Sequence, residues 1–144
     1  MKNKMEIKIP SLSRNECLAR NMVALFAVEL NPSLEKLSDI KTAVSEAVTN
    51  CIVHGYPDEV GEIEILVMND NGVLHIEVMD RGVGITDIEK AKQPFFTTKT
   101  SEDRSGMGFT VMETFMDNLD VENREGGGLR VVMRKSFVGN LQEN

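Results

Sequence analysis

No stretch of this sequence stays apolar for long. The longest uninterrupted apolar run, Met22–Val28, covers seven residues, whereas a bilayer-spanning helix needs about 20 and a signal peptide needs a stronger core. Membrane insertion and secretion are therefore not expected, and a cytoplasmic location is. Cysteine is scarce. Cys17 and Cys51 have no metal-ligand spacing and both fall within helical patterns, so two buried free thiols are expected. Positive charge is short too: 16 Lys and Arg face 23 Asp and Glu, for a net charge of −7. Such a chain has no electrostatic footprint for nucleic acid or an anionic membrane, so neither is expected as a partner. There is no internal repeat, no low-complexity tract and no linker long enough to separate a pair of domains. One domain spanning residues 1–144 is the expectation.

What is present is patterned. Met5, Ile7 and Ile9 alternate with polar residues as a short strand ended by Pro10. Ser13 and Glu16 have the spacing of a capping box, and Leu18, Met22, Leu25, Phe26 and Leu30 follow at helical spacing up to Asn31-Pro32. A second helical pattern carries Leu37, Ile40, Val44, Val48 and Cys51 and ends near Gly55 and Pro57. Ile63, Ile65 and Val67, then Asn69-Asp70-Asn71-Gly72, then Leu74, Ile76 and Val78 read as a hairpin. Residues 85–105 are the least regular stretch, and a loop of that length is expected to be a functional lid. Gly106-Met107-Gly108 opens a helix bearing Phe109, Met112, Phe115 and Met116. Strands at 119–124 and 129–135 around Gly126-Gly127-Gly128 close the chain. About three helices and four or five strands predict an α+β two-layer sandwich, a mixed and mainly antiparallel sheet covered on one face by helices.

Three constellations carry chemistry. Glu46, Asn50 and His54 follow one another at i, i+4 and i+8, which stacks them on one helix stripe about 6 Å apart. A carboxylate one turn from an amide suits a site that accepts a proton and holds a hard cation through oxygen. Asp80-Arg81-Gly82-Val83-Gly84 leaves a strand, where glycines let the backbone approach a flat ligand and Asp80 can accept from an exocyclic amine. Ser105-Gly106-Met107-Gly108 at a helix start can cradle phosphate, with Thr97, Thr98 and Lys99 reaching over a nucleotide and Arg104 neutralising charge. Neither a Walker A loop nor a dinucleotide fingerprint is present. His75, alternating with Leu74 and Ile76, is expected as an exposed sheet-face residue, and His54 lacks the companions a zinc site needs.

Taken in order, Glu46 and Asn50, Asp80-Gly82-Gly84, and Gly106-Gly108 resemble the ATP-binding fold shared by DNA gyrase, the heat-shock 90 chaperone, MutL and histidine kinases. Within it, Ser45-Glu46-Ala47-Val48-Thr49-Asn50, His54-Gly55-Tyr56, Gln93-Pro94, Phe96-Thr97-Thr98-Lys99 and Arg104-Ser105-Gly106-Met107-Gly108-Phe109 are similar to the anti-sigma F factors of sporulation. The resemblance implies a homodimer that sequesters sigma factor F. It also implies an ATP- and Mg²⁺-dependent kinase that phosphorylates a serine of the anti-anti-sigma factor (stage II sporulation protein AA). It implies Glu46 as general base, Asn50 as Mg²⁺ ligand, and Asp80, Gly82 and Gly84 around adenine. Thr98, Lys99, Arg104, Ser105, Gly106 and Gly108 would lie on the lid and phosphates. Glu16 and Arg20 would contact the partner, although their spacing also fits a plain i,i+4 ion pair. The chain departs from the family pattern at Gly126-Gly127-Gly128-Leu129, where relatives carry a Thr after the Gly, and at Thr100, where relatives carry Pro. An ATP-gated binding module and an ATP-hydrolysing switch of the gyrase kind are the competing functions.

Overall fold

Alternating apolar residues build the sheet. In the computed structural model, which describes residues 2–93 and 108–138, five strands run β1 (Lys2–Pro10), β2 (Glu62–Asp70), β3 (Val73–Met79), β4 (Asn118–Asn123) and β5 (Leu129–Ser136). Their order across the sheet is β1-β2-β3-β5-β4. All four neighbouring pairs are antiparallel, so among the described residues the expected mixed sheet is purely antiparallel. The β2–β3 hairpin turns on Asn71 and Gly72, whose φ values of 53° and 93° are those of the two-residue turn that matches strand twist.

Among the described residues four α-helices accompany the sheet: α1 (Asn15–Ala27), α2 (Leu34–Asn50), α3 (Ile88–Ala91) and α4 (Gly108–Phe115). A 3₁₀ turn, Val28–Leu30, follows α1, and a π-helical turn, Cys51–Gly55, extends α2. The core lies between one sheet face and the helices. Ile63, Ile65, Val67, Leu74, Ile76, Val78, Val131 and Met133 meet Ile40, Val44 and Val48 of α2 and Met112 of α4. Each such side chain contributes about 1.5–3 kcal/mol on burial. Lys135 lies in register with Val131 and Met133, and its Nζ donates to the Phe115 carbonyl at 2.6 Å, tying the end of α4 to β5.

Several expectations are corrected. The capping box does not form: α1 begins without a side-chain cap, and Glu16 is taken by Arg20. The buried side of α1 is Ala19, Val23 and Ala27, whereas Leu18 and Leu25 are exposed. Small residues there let α1 sit close against α2. Cys17 is exposed, and only Cys51 of the two thiols is buried. A short helix, α3, interrupts the expected loop, its N-terminus capped by Asp87 accepting from the Lys90 amide. His75 sits on the helix-free sheet face but is largely enclosed. Its Nδ1 accepts from Arg134 Nε at 3.1 Å, so its proton lies on Nε2, 2.7 Å from Glu77 Oε2.

Candidate nucleotide site

The site is built where the C-terminal half of α2, the end of β3 and the start of α4 meet. Asp80 stands one residue past β3 and is almost fully buried. Its Oδ1 accepts from the Gly82 amide at 2.8 Å and from the Leu129 amide at 3.2 Å. The Cys51 thiol donates to the same carboxylate. Burial first, and then the Asp80 charge, push that thiol well above its ordinary range, so it keeps its proton at neutral pH. Oδ2 faces the Gly55 backbone, where an added Cβ would stand 2.7 Å away.

The glycines after Asp80 have separate tasks. Gly82 packs onto the Gly55 carbonyl, which also accepts from the Val83 amide at 3.1 Å. Gly84 takes a φ of 69°, and its α-carbon lies against Asn123 Oδ1. Asn123 then grips the next residue: its Oδ1 accepts from the Ile85 amide at 2.9 Å and its Nδ2 donates to the Ile85 carbonyl at 2.7 Å. Tyr56 braces the other side. Its hydroxyl donates to the Glu62 carbonyl at 2.7 Å and accepts from the Arg81 amide at 2.5 Å. Burial raises its phenol above the ordinary range. Arg124 Nη1 donates to the Asp80 carbonyl at 3.0 Å. Asn123 and Arg124 escape a sequence reading, and of Tyr56 only its place beside His54-Gly55 is legible, because their bracing roles come from contacts 25 to 44 residues away.

Glu46 and Asn50 are brought to the start of α4. A Cβ on Gly108 would lie 3.2 Å from Asn50 Oδ1 and 3.4 Å from Glu46 Oε2. Both side chains are half-buried. His54 lies in the π-helical turn, closed by the Tyr56 amide donating to the Cys51 carbonyl at 2.9 Å, which takes it out of the α-helical register of that stripe. Arg20 Nη1 meets both carboxylate oxygens of Glu16 at 2.5 Å. Thr97, Thr98, Lys99, Arg104, Ser105 and Gly106 lie outside the described residues.

The residues present fit a nucleotide. A buried carboxylate is fixed by two amides, Gly82 and Gly84 beside it carry no side chain, and an acid–amide pair meets a helix N-terminus. Fold and site define an ATP-binding domain of the histidine kinase-like class, and the family model for the histidine kinase-like ATPase domain matches residues 9–135. The catalytic domain of the histidine kinase ThkA, in a nucleotide-free form, has the same fold. It aligns with a TM-score of 0.59 at 19% identity, covering 93% of this chain and 97% of that one. Relatives named anti-sigma F factor are far nearer in sequence. That of Thermoanaerobacter sp. (strain X514) is 55% identical over 137 residues, 95% of each chain. That of Clostridium acetobutylicum is 52% identical over 138 residues, 96% of each. The chain belongs to the anti-sigma F factor family.

Proposed function

We propose that this chain is an anti-sigma factor that is also an ATP-dependent protein serine kinase. In this reading it acts in the cytoplasm as a homodimer that binds and inhibits sporulation sigma factor F. It also phosphorylates a serine of the anti-anti-sigma partner and thereby inactivates it. The names of its relatives and the kinase-like class of the domain support the reading. An acidic chain also suits competition for the basic, nucleic-acid-facing surface of a sigma factor. Among the described residues no helix is long and apolar enough to cross a membrane.

The observation that carries the kinase reading is the convergence of Glu46 and Asn50 on Gly108. Bound ATP with Mg²⁺ supplies the transferable phosphoryl group and neutralises its oxygens. Glu46 accepts the proton of the incoming serine hydroxyl, and Asn50 offers its side-chain oxygen to the metal. Asp80 accepts from the amino group of the base, and Gly82 and Gly84 let the backbone lie close to the ring. Gly106 and Gly108 cap the phosphates, while Thr98, Lys99, Arg104 and Ser105 close over them. Glu16 and Arg20 contact the partner protein.

Transfer from γ-labelled ATP to the anti-anti-sigma protein tests the reading, with Glu46→Ala beside the parent. The expected result is labelled partner serine from the parent, a loss of about 10²–10⁴-fold in the variant, and similar ATP affinity in both. A parent that binds ATP and transfers no label would instead be an ATP-gated binding module.

A further inference from the structure

Among the described residues Lys135 is the one buried cation, and it lies on the face of β5 that carries Val131 and Met133 into the core. Burial strips an ammonium of its hydration, and an apolar side chain of the same length would serve the core better unless the charge has a task.

Its partners define that task. Nζ donates to the Phe115 carbonyl at the end of α4 at 2.6 Å and stands 3.8 Å from Asp39 Oδ2 of α2. The residues on either side of Lys135 hold the same helix end. The Arg134 carbonyl accepts from the Asp117 amide at 2.9 Å, and the Ser136 amide donates to Asp117 Oδ2 at 2.7 Å. Three consecutive residues of β5 thus grip the C-terminal end of α4, and through Lys135 the grip extends to α2.

The other end of α4 is Gly108, which lies against Asn50 and Glu46. From Gly108 to Phe115 the helix advances about 10.5 Å. On α2, Asp39, Glu46 and Asn50 fall at i, i+7 and i+11, one stripe of the helix, and Asp39 to Glu46 covers the same interval. The two helices run in opposite directions with a polar contact at each end of α4. Between those contacts Phe109 and Met112 are buried, and apolar burial, being non-directional, holds α4 onto the core with less say over its position along the axis.

We infer that Lys135 is a positioning residue for phosphoryl transfer: it sets α4 along α2, and so sets how closely the N-terminal amides of α4 stand to Glu46 and Asn50. The inference rests on the nucleotide and kinase reading for the chemistry at that end. Lys135 itself stands a full helix length from Gly108.

The test separates the two ends of the nucleotide. Adenosine and Mg²⁺-ATP are titrated onto the parent, Lys135→Met, Lys135→Arg and Asp39→Asn, transfer to the anti-anti-sigma protein is timed for each, and urea unfolding checks that each is folded. Lys135→Met is expected to bind adenosine within about threefold of the parent, to lose about tenfold on ATP and to lose about 10²-fold in kcat, the cost of a displacement near 1 Å at a reacting centre. Its KM for the acceptor stays within about threefold of the parent. Lys135→Arg, which can donate to the same carbonyl, recovers most of the lost kcat. Asp39→Asn keeps the Phe115 bond and is expected to lose about threefold in kcat with adenosine affinity unchanged. Equal losses on adenosine and ATP would make Lys135 a support of the whole fold and overturn the inference. Parent-like ATP affinity and kcat in Lys135→Met, or in Asp39→Asn should Lys135→Met not fold, would overturn it too. A parent that binds ATP and transfers no label would remove the kinase reading, and an ATP-specific loss of binding in Lys135→Met would then uphold the placement of α4 by Lys135.

Discussion

The Gly55 carbonyl and the Gly82 α-carbon are packed against each other so closely that a methyl group on Gly82 would stand 1.9 Å from the Gly55 oxygen. The neighbour is backbone, held in place by the Val83 amide at 3.1 Å, and has no flexible end that could yield. Gly82→Ala is therefore expected to lower stability by about 1–3 kcal/mol and to weaken ATP binding at least tenfold. Denaturant unfolding and nucleotide titration read the two effects. Unchanged ATP affinity would mean that the Asp80–Gly84 strip does not line the nucleotide.

Asn123 acts on the same strip from the opposite side, mimicking with its amide one pair of backbone hydrogen bonds to Ile85. Asn123→Ala removes both bonds, and Asn123→Asp keeps the acceptor but loses the donor. Hydrogen exchange at the Ile85 amide is expected to rise strongly in the first variant and only modestly in the second. ATP affinity should fall in the same order, with a stability cost of about 1–2 kcal/mol for the alanine.

Glu77 gives the acid limb of the stability profile. Its carboxyl is held below the usual 4.5, chiefly by the Arg130 hydrogen bond and then by His75, against the opposing effect of burial. A depressed folded-state pKa means the unfolded chain binds the proton more readily. The stabilisation is thus complete at neutral pH, begins to fall as pH drops toward about 4.5, and is gone below the folded-state value. Glu77→Gln is expected to be less stable than the parent at neutral pH, with a shallower loss between about pH 6 and pH 3. Parallel profiles in urea unfolding would show that another carboxylate governs acid sensitivity.

The hairpins and the glycine-marked site are legible in the sequence because local chemistry decides them. Asn71-Gly72 can only turn one way, and Asp80, Gly82 and Gly84 announce a strand end where backbone must come close. The face of α1 is not legible. Met22–Val28 is apolar all round, so periodicity favours the large residues, whereas packing against α2 selects Ala19, Val23 and Ala27 for closeness and leaves Leu25 74% exposed. The Ser13–Glu16 spacing misleads for a similar reason, since a free carboxylate near a helix start goes to whichever donor is better placed, here Arg20. Cys51 reads as core from its helical spacing. That it also donates to Asp80 depends on a strand end far along the chain, which no spacing rule reports.

The π-helical turn after α2 works as a gauge block. The helix bearing Glu46 and Asn50 runs on through this turn, closed by the Tyr56 amide on the Cys51 carbonyl, to Gly55, whose carbonyl accepts from the Val83 amide just past the strand end bearing Asp80. Removing one residue between Asn50 and Gly55 would return the stretch to α-helical spacing and draw the Gly55 carbonyl off Val83. The spacing between the end of the site that would read a base and the end that would meet phosphates is thus counted out in residues.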